Sequence, residues 1–191
     1  MQLVLASTSR YRRILLERLG LPFSVADPRI DENRRPGEAP EAMASRLAEA
    51  KAQAVAPRFP DSLVIGCDQV AISNGEVLGK PGNHDNAVRQ LRALSAGEAV
   101  FHTAVCVHNS SDGTTRVRVV PCRVSFRNLD DGVIDRYLAR EQAYDCAGSA
   151  RAEGLGIALI AKMEGEDPTA LIGLPLIALV DLLREQGLNV I

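Results

Sequence analysis

A dominant charge of one sign is what this chain most plainly lacks. It has 22 Lys and Arg against 24 Asp and Glu, a formal net charge of −2, which excludes a broadly electropositive surface and the wrapping of a long nucleic acid. Any basic footprint must be local, so a small anionic ligand fits better than a polymer. Cysteine is sparse: Cys67, Cys106, Cys122 and Cys146 lie far apart with no C-x-x-C pair, which excludes a thiolate metal ribbon and a dithiol redox motif and fits a reducing cytoplasm. The three histidines, His84, His102 and His108, show no H-E-x-x-H or finger spacing. Long apolar runs are missing as well. The first is too short for a signal-peptide core, and the most apolar stretch, Leu171 to Leu183, is interrupted by Asp181, so no membrane span is expected. Repeats, low-complexity tracts and dividing linkers are absent, and residues 1–191 are expected to form a single domain.

What is present is an alternation of periods within a 46% apolar, 24% charged composition typical of globular proteins. A strand at Gln2 to Ala6, a helix at Arg10 to Leu19 ended by Gly20, and a strand at Phe23 to Ala26 make an α/β opening. The polar stretch Asp27 to Pro40 reads as a loop, and Pro40 starts a helix through Met43, Leu47, Ala50 and Ala54. A buried strand follows at Leu63 to Cys67. Asn74-Gly75, between Ala71-Ile72 and Val77-Leu78, signals a tight hairpin. The next helix spans Asp85 to Leu94 and is capped by Asn83. Period-two segments Val100 to Val107 and Thr115 to Phe126, joined at Asp112-Gly113, predict a long antiparallel hairpin. Helices at Asp131 to Glu141 and Leu174 to Gln186, with a strand near Ile157 to Ala161 between them, complete a mixed sheet with helices on both faces.

The chemistry gathers first where the opening strand meets its helix. Ser7 and Ser9 can donate to oxyanions, the first helical N–H groups point the same way, and Arg12 offers a planar fork matched to phosphate. Tyr11 offers a face for a base. The same residues also read as an ordinary N-cap with solvated arginines. Asp68, directly after the strand Leu63 to Cys67, stands where α/β sheets bind ligands. It can ligate Mg²⁺, take a proton from an attacking water, or simply cap a turn. Gln69 can read a base edge. Lys51 sits near the end of its helix, and Lys80 lies in Gly79-Lys80-Pro81-Gly82, which is no Walker A loop because the upstream glycine spacing and the following Ser or Thr are missing. Asp31-Glu32 can add oxygen ligands to a metal. The Gly-rich run Asp145 to Gly156 would present Glu153 at a flexible rim and let a ligand approach the backbone.

The set Leu5-Ala6-Ser7-x-Ser9-x-x-Arg12, Asp31-Glu32, Lys51, Gly66-x-Asp68-Gln69, Gly79-Lys80-Pro81, Ala147-Gly148-Ser149 and Gly173-Leu174-Pro175 resembles the Maf family of nucleotide pyrophosphatases, in order and over nearly the whole chain. The resemblance implies an elongated α/β, Maf/ITPase-like fold with a mixed β-sheet flanked by helices and two lobes around a cleft. It also implies a divalent metal (Mg²⁺ or Mn²⁺), a homodimer, and cleavage of nucleoside triphosphates between the α- and β-phosphates.

By that resemblance Asp68 is the catalytic base, Ser7, Ser9, Arg12, Lys51 and Lys80 hold the phosphates, and Glu32 joins Asp68 as a metal ligand. Tyr11, Gln69 and Glu153 match the specificity positions of the YceF-type branch, whose members act on 7-methyl-GTP. The branch acting on dTTP and UTP carries Arg, Thr and Gln there. Chemistry favours the same choice, because N7 methylation makes guanine a cation that suits an aromatic face and a carboxylate. The alternatives are a broader or pyrimidine-directed housecleaning pyrophosphatase, or a nucleotide-binding regulator of septum formation. Two departures stand out: Arg10 replaces the family's usual Pro, and Tyr11 replaces the Trp often seen in this branch.

Overall fold

The computed structural model describes all 191 residues. Strands β1 (Gln2–Ala6), β2 (Phe23–Ala26), β3 (Ser62–Ser73), β4 (Glu76–Leu78), β5 (Glu98–Asn109), β6 (Thr115–Phe126) and β7 (Ile160–Gly165) form one mixed sheet in the order β2-β1-β3-β5-β6-β7, with β4 paired to β3. The helices are α1 (Arg10–Glu17), α2 (Pro40–Val55), α3 (His84–Leu94), α4 (Asp131–Arg140) and α5 (Leu176–Glu185). No helix is long and apolar enough to cross a membrane. The chain divides into two compact units, one of residues 1–69, 102–120 and 167–191, the other of residues 70–101 and 121–166.

In the first unit β1 pairs in parallel with β2 and β3, with Ala6 beside both Ala26 and Gly66. A central parallel strand is covered on both faces, which is why Leu3 to Ala6 is a continuous buried apolar run. Leu5, Leu16, Ile65, Val105, Leu179 and Leu183 belong to its core. Helix α2 opens with Pro40 at its first turn and buries Ala44, Leu47, Ala48, Lys51, Ala52 and Val55, a stripe at helical spacing. Its alanines let the helix lie directly on β3. A Cβ on Gly66 would collide with the Ala48 carbonyl oxygen and lie 2.9 Å from Ala52 N, so only glycine permits this approach.

In the second unit α3 packs against α4, burying Leu91, Leu94, Ile134 and Leu138. Asn83 caps α3 as expected, its side chain accepting from Asn86 N. The Asn74-Gly75 turn joins β3 to β4, with Ile72 opposite Val77.

Several boundaries differ from those expected: α1 ends at Glu17 rather than Leu19 and β5 extends to Glu98–Asn109, and three further differences bear on the site. The strand expected to end at Cys67 continues to Ser73, so Asp68 and Gln69 lie inside β3 rather than after it. Their polarity looks like a strand end, but each side chain finds a buried partner. The strand expected at Ile157 to Ala161 starts at Ile160, because Leu155–Leu159 winds into 3₁₀ turns. Helix α5 starts at Leu176 rather than Leu174, since the Ile177 N–H is taken by Asp167 Oδ2 at 2.7 Å, which anchors its first turn.

Candidate active site

Within the first unit, the carboxyl end of β1, the start of α1, the middle of β3 and the inner face of α2 converge. Ser9 is the N-cap of α1, its Oγ accepting from Arg12 N at 3.5 Å, while the buried Ser7 Oγ accepts from Ser9 N at 3.2 Å. Capping and phosphate binding are therefore compatible: each hydroxyl accepts one backbone N–H and still has its own proton to donate. Arg12 donates from Nε to the Gly173 carbonyl at 3.0 Å, and Cys67 Sγ donates to the same oxygen at 2.9 Å. Burial pushes the Cys67 thiol up to about 11, so it stays an unreactive thiol.

Lys51 is the centre of the charge arrangement. It occupies the buried stripe of α2 where an apolar residue would ordinarily stand, and is only 5% exposed. Its Nζ donates to Asp68 Oδ1 at 2.6 Å and meets Glu32 Oε1 at 2.8 Å. Asp68 is equally buried and Glu32 exposed, so one ammonium joins a carboxylate inside the sheet to one on the loop. A buried ammonium without such partners would be strongly disfavoured.

Gln69 is anchored inside the first unit. Its Nε2 donates to Thr103 Oγ1 at 2.9 Å, Ala170 O at 3.0 Å and Leu171 O at 3.1 Å. The amide nitrogen is spent on the fold. Tyr11 is similarly engaged: the Arg10 guanidinium lies 4.8 Å from its ring centroid and donates to its hydroxyl at 2.7 Å. The residue that departs from the family pattern thus lies over the Tyr11 ring.

Arg46 was not singled out in the sequence. It binds Glu38 through Nε at 2.5 Å and a terminal nitrogen at 2.7 Å, and donates to the Asn33 carbonyl at 3.1 Å. The fork holds the loop on α2 immediately beside Glu32. Spacing offered no signal, because the partners are an ordinary Glu and a backbone carbonyl. The bond to Arg46, then that to Arg35 N, lowers the Glu38 pKa from 4.5 to about 2. A lowered folded-state pKa stabilises the protein above the unfolded value and loses that contribution as pH falls through the folded one. In urea unfolding, the gap between wild type and Glu38→Gln is expected to be full above pH 5 and to narrow toward zero by about pH 2; a gap independent of pH would remove this pair from acid stability.

Lys80 and Glu153 belong to the second unit. Lys80 is exposed in the segment after β4. Glu153 stands 3.7 Å from Arg151 Nε, and burial, only partly offset by a backbone hydrogen bond and by Arg151, raises its pKa. Hydrogen bonds tie the loop that carries it. Glu141 accepts from Leu155 N at 2.6 Å and pairs with Arg151, while Tyr137 Oη accepts from Arg151 N at 3.1 Å. The glycines serve this internal packing: a Cβ on Gly156 would lie 2.5 Å from Arg151 N.

Two carboxylates converging on one cation are a donor set that suits Mg²⁺, which takes one or two carboxylates and completes its shell with water and substrate phosphates. No group of three His, Cys, Asp or Glu stands together to cage a metal by protein ligands alone.

A family model described as Maf-like protein matches residues 2–186. The 7-methyl-GTP pyrophosphatase of Methylobacillus flagellatus is 59% identical over 189 residues, 99% of this chain and 98% of that protein. Proteins of the same name from Nitrosospira multiformis and Aromatoleum aromaticum are 57% and 55% identical, covering 100% and 98% of this chain and 96% of each relative. With its seven motifs in register and a family match reaching from β1 past the end of α5, the chain belongs to the Maf family.

Proposed function

We propose that the chain is a nucleoside triphosphate pyrophosphatase that hydrolyses 7-methyl-GTP to 7-methyl-GMP and pyrophosphate. The observation that carries this reading is the buried Lys51 held between Asp68 and Glu32. Phosphoanhydride cleavage needs charge neutralisation and an oriented water, and this trio supplies both cation and base. The names of the relatives support the choice of nucleotide.

Asp68 Oδ1 is committed to Lys51, so Oδ2 takes the proton of the attacking water as the bond between the α- and β-phosphates breaks and pyrophosphate departs. Ser7, Ser9, Arg12, Lys51 and Lys80 are assigned to the phosphates. Glu32 and Asp68 would hold a divalent cation, which supplies further neutralisation of phosphate charge when bound. Tyr11, Gln69 Oε1 and Glu153 are assigned to the base. Burial raises the Glu153 pKa, so its ionised form gains most from a ligand that brings a positive charge, as 7-methylguanine does and guanine does not.

A substrate panel with Mg²⁺ or Mn²⁺ tests the reading by pyrophosphate release. The expected result is the highest kcat/KM for 7-methyl-GTP among 7-methyl-GTP, GTP, dTTP, UTP and CTP, abolished by a chelator and restored by the metal. Preference for dTTP or UTP would assign the pyrimidine-directed activity instead, and binding without turnover would assign a regulator. In the same panel Glu153→Gln is expected to lower the 7-methyl-GTP to GTP ratio roughly 10-fold; an equal loss on every base would take Glu153 out of base selection.

A further inference from the structure

One amide in the second unit spans two loops that each carry a site residue. Gln90, on α3, donates from Nε2 to the Gly79 carbonyl at 2.9 Å and accepts at Oε1 from Ser149 Oγ at 2.6 Å. The Gly79 carbonyl belongs to the peptide group that joins Gly79 to Lys80, so the bond fixes the backbone from which the lysine projects. One turn earlier on α3, Asn86 Nδ2 donates to the Pro81 carbonyl at 2.8 Å, and the Gly82 N–H donates to the Tyr144 carbonyl at 3.0 Å. The carbonyls on both sides of Lys80 are therefore held by side chains of one helix.

The other end of the bridge is equally constrained. Ser149 is fully buried and non-glycine, yet has φ +58, following Gly148 at +72. A left-handed serine is uncommon and persists where its surroundings hold it. Its hydroxyl on Gln90 and its N–H on Cys146 O at 3.2 Å do so. Four residues on stands Glu153, in the segment tied through Arg151 to Glu141 and Tyr137.

We infer that Gln90 is a positioning residue: its single side-chain amide sets the Lys80 peptide and the loop leading to Glu153 at a fixed separation, so that the phosphate-holding cation and the base-reading carboxylate are placed together. This rests on the roles proposed above for Lys80 and Glu153. A primary amide suits the task because it donates at one end and accepts at the other. Methionine matches its length and offers neither bond in comparable strength.

The test is a double-mutant cycle read with 7-methyl-GTP and GTP in Mg²⁺, each variant's thermal midpoint being measured alongside. Lys80→Ala is expected to lower kcat/KM about 100-fold and Gln90→Met about 30-fold, since small misplacements of a site group cost up to about 10²-fold. With GTP the Gln90→Met/Lys80→Ala double variant is expected within about twofold of Lys80→Ala alone, because groups acting through one another do not add, while with 7-methyl-GTP it loses about a further fivefold through the loop leading to Glu153. Ser149→Ala, which cuts only the other end of the bridge, is expected to lower the 7-methyl-GTP to GTP ratio about fivefold. Should Gln90→Met melt early, Gln90→Glu, which keeps the acceptor for Ser149 and gives up only the donor to Gly79, carries the same comparison. A double variant weaker than Lys80→Ala by the full Gln90 factor, or a wild-type rate for the Gln90 variants, overturns the inference and leaves the proposed function standing. A wild-type rate for Lys80→Ala removes Lys80 from the phosphates and the inference with it.

Discussion

Asp68→Asn is expected to lower kcat by about 10²- to 10⁴-fold, the range of a positioned general base, with nucleotide binding largely retained. The geometry makes this a clean substitution. Asp68 Oδ1 accepts from Lys51 Nζ at 2.6 Å, and an asparagine carbonyl oxygen can keep that bond. Lys51 also keeps Glu32 at 2.8 Å, so the buried ammonium is not stranded. What is lost is the ability of the second oxygen to take a proton, together with the negative charge Asp68 would offer a divalent cation, so rates are compared at saturating Mg²⁺. A 10³-fold fall corresponds to about 4 kcal/mol of transition-state stabilisation. Steady-state rates, with equilibrium binding of a slowly hydrolysed analogue, check it. A kcat within a few-fold of wild type would move the base role elsewhere, whereas lost binding with normal kcat would make Asp68 a binding group only.

Gly66→Ala is expected to destabilise the protein by about 3 kcal/mol, at the upper end for overpacked cores, and to reduce activity with it. The added Cβ would run into the Ala48 carbonyl oxygen and lie 2.9 Å from Ala52 N and 3.0 Å from Ala48 C. These are backbone atoms of a helix and cannot rotate away. The remaining response is for α2 to lift from β3, which carries Lys51 off Asp68. For a chain of 191 residues a loss of that size lowers Tm by about 6–12 °C. Thermal and urea unfolding measure it, and a change below about 0.5 kcal/mol would show that the contact between α2 and β3 yields easily. Ser149→Ala leaves this contact untouched and serves as the control for a site variant that keeps the first unit intact.

Much of the architecture was legible because it depends on short-range rules. Pro40 opening α2, Asn83 capping α3, Asn74-Gly75 turning β3 into β4, and the long strands β5 and β6 all follow from neighbours a few residues apart, although β5 is buried continuously from Phe101 to Val107 and does not alternate inward and outward as expected. Ser9 could be read as either a cap or a phosphate ligand, and the structure makes it the cap without using its donor proton. The length of β3 was less legible. Asp68 and Gln69 interrupt an apolar strand, and polarity normally marks an edge. They remain inside it because partners distant in sequence satisfy them.

The candidate site divides in the same way. Residue types and order pointed to phosphates, a carboxylate base and a nucleotide, since serines and an arginine at a helix start carry that chemistry locally. The partners were not readable. Lys51 reaches Asp68 across 17 positions, Gln69 reaches Ala170 across 101, and Gln90 reaches Ser149 across 59. The Lys51 pairing follows from a helix lying on a glycine and the other two from chain segments brought together by the fold, and no periodicity encodes any of them. The sequence alone determined most of the elements, their turns and caps, and the family. Only the tertiary structure decided that Lys51 is buried between two carboxylates, that the Gln69 amide nitrogen is spent on the fold, and that Arg46 and Gln90 hold the loops. Those outcomes depend on which distant groups meet with their hydrogen-bonding capacity unfilled, a property of the packed chain rather than of any local stretch.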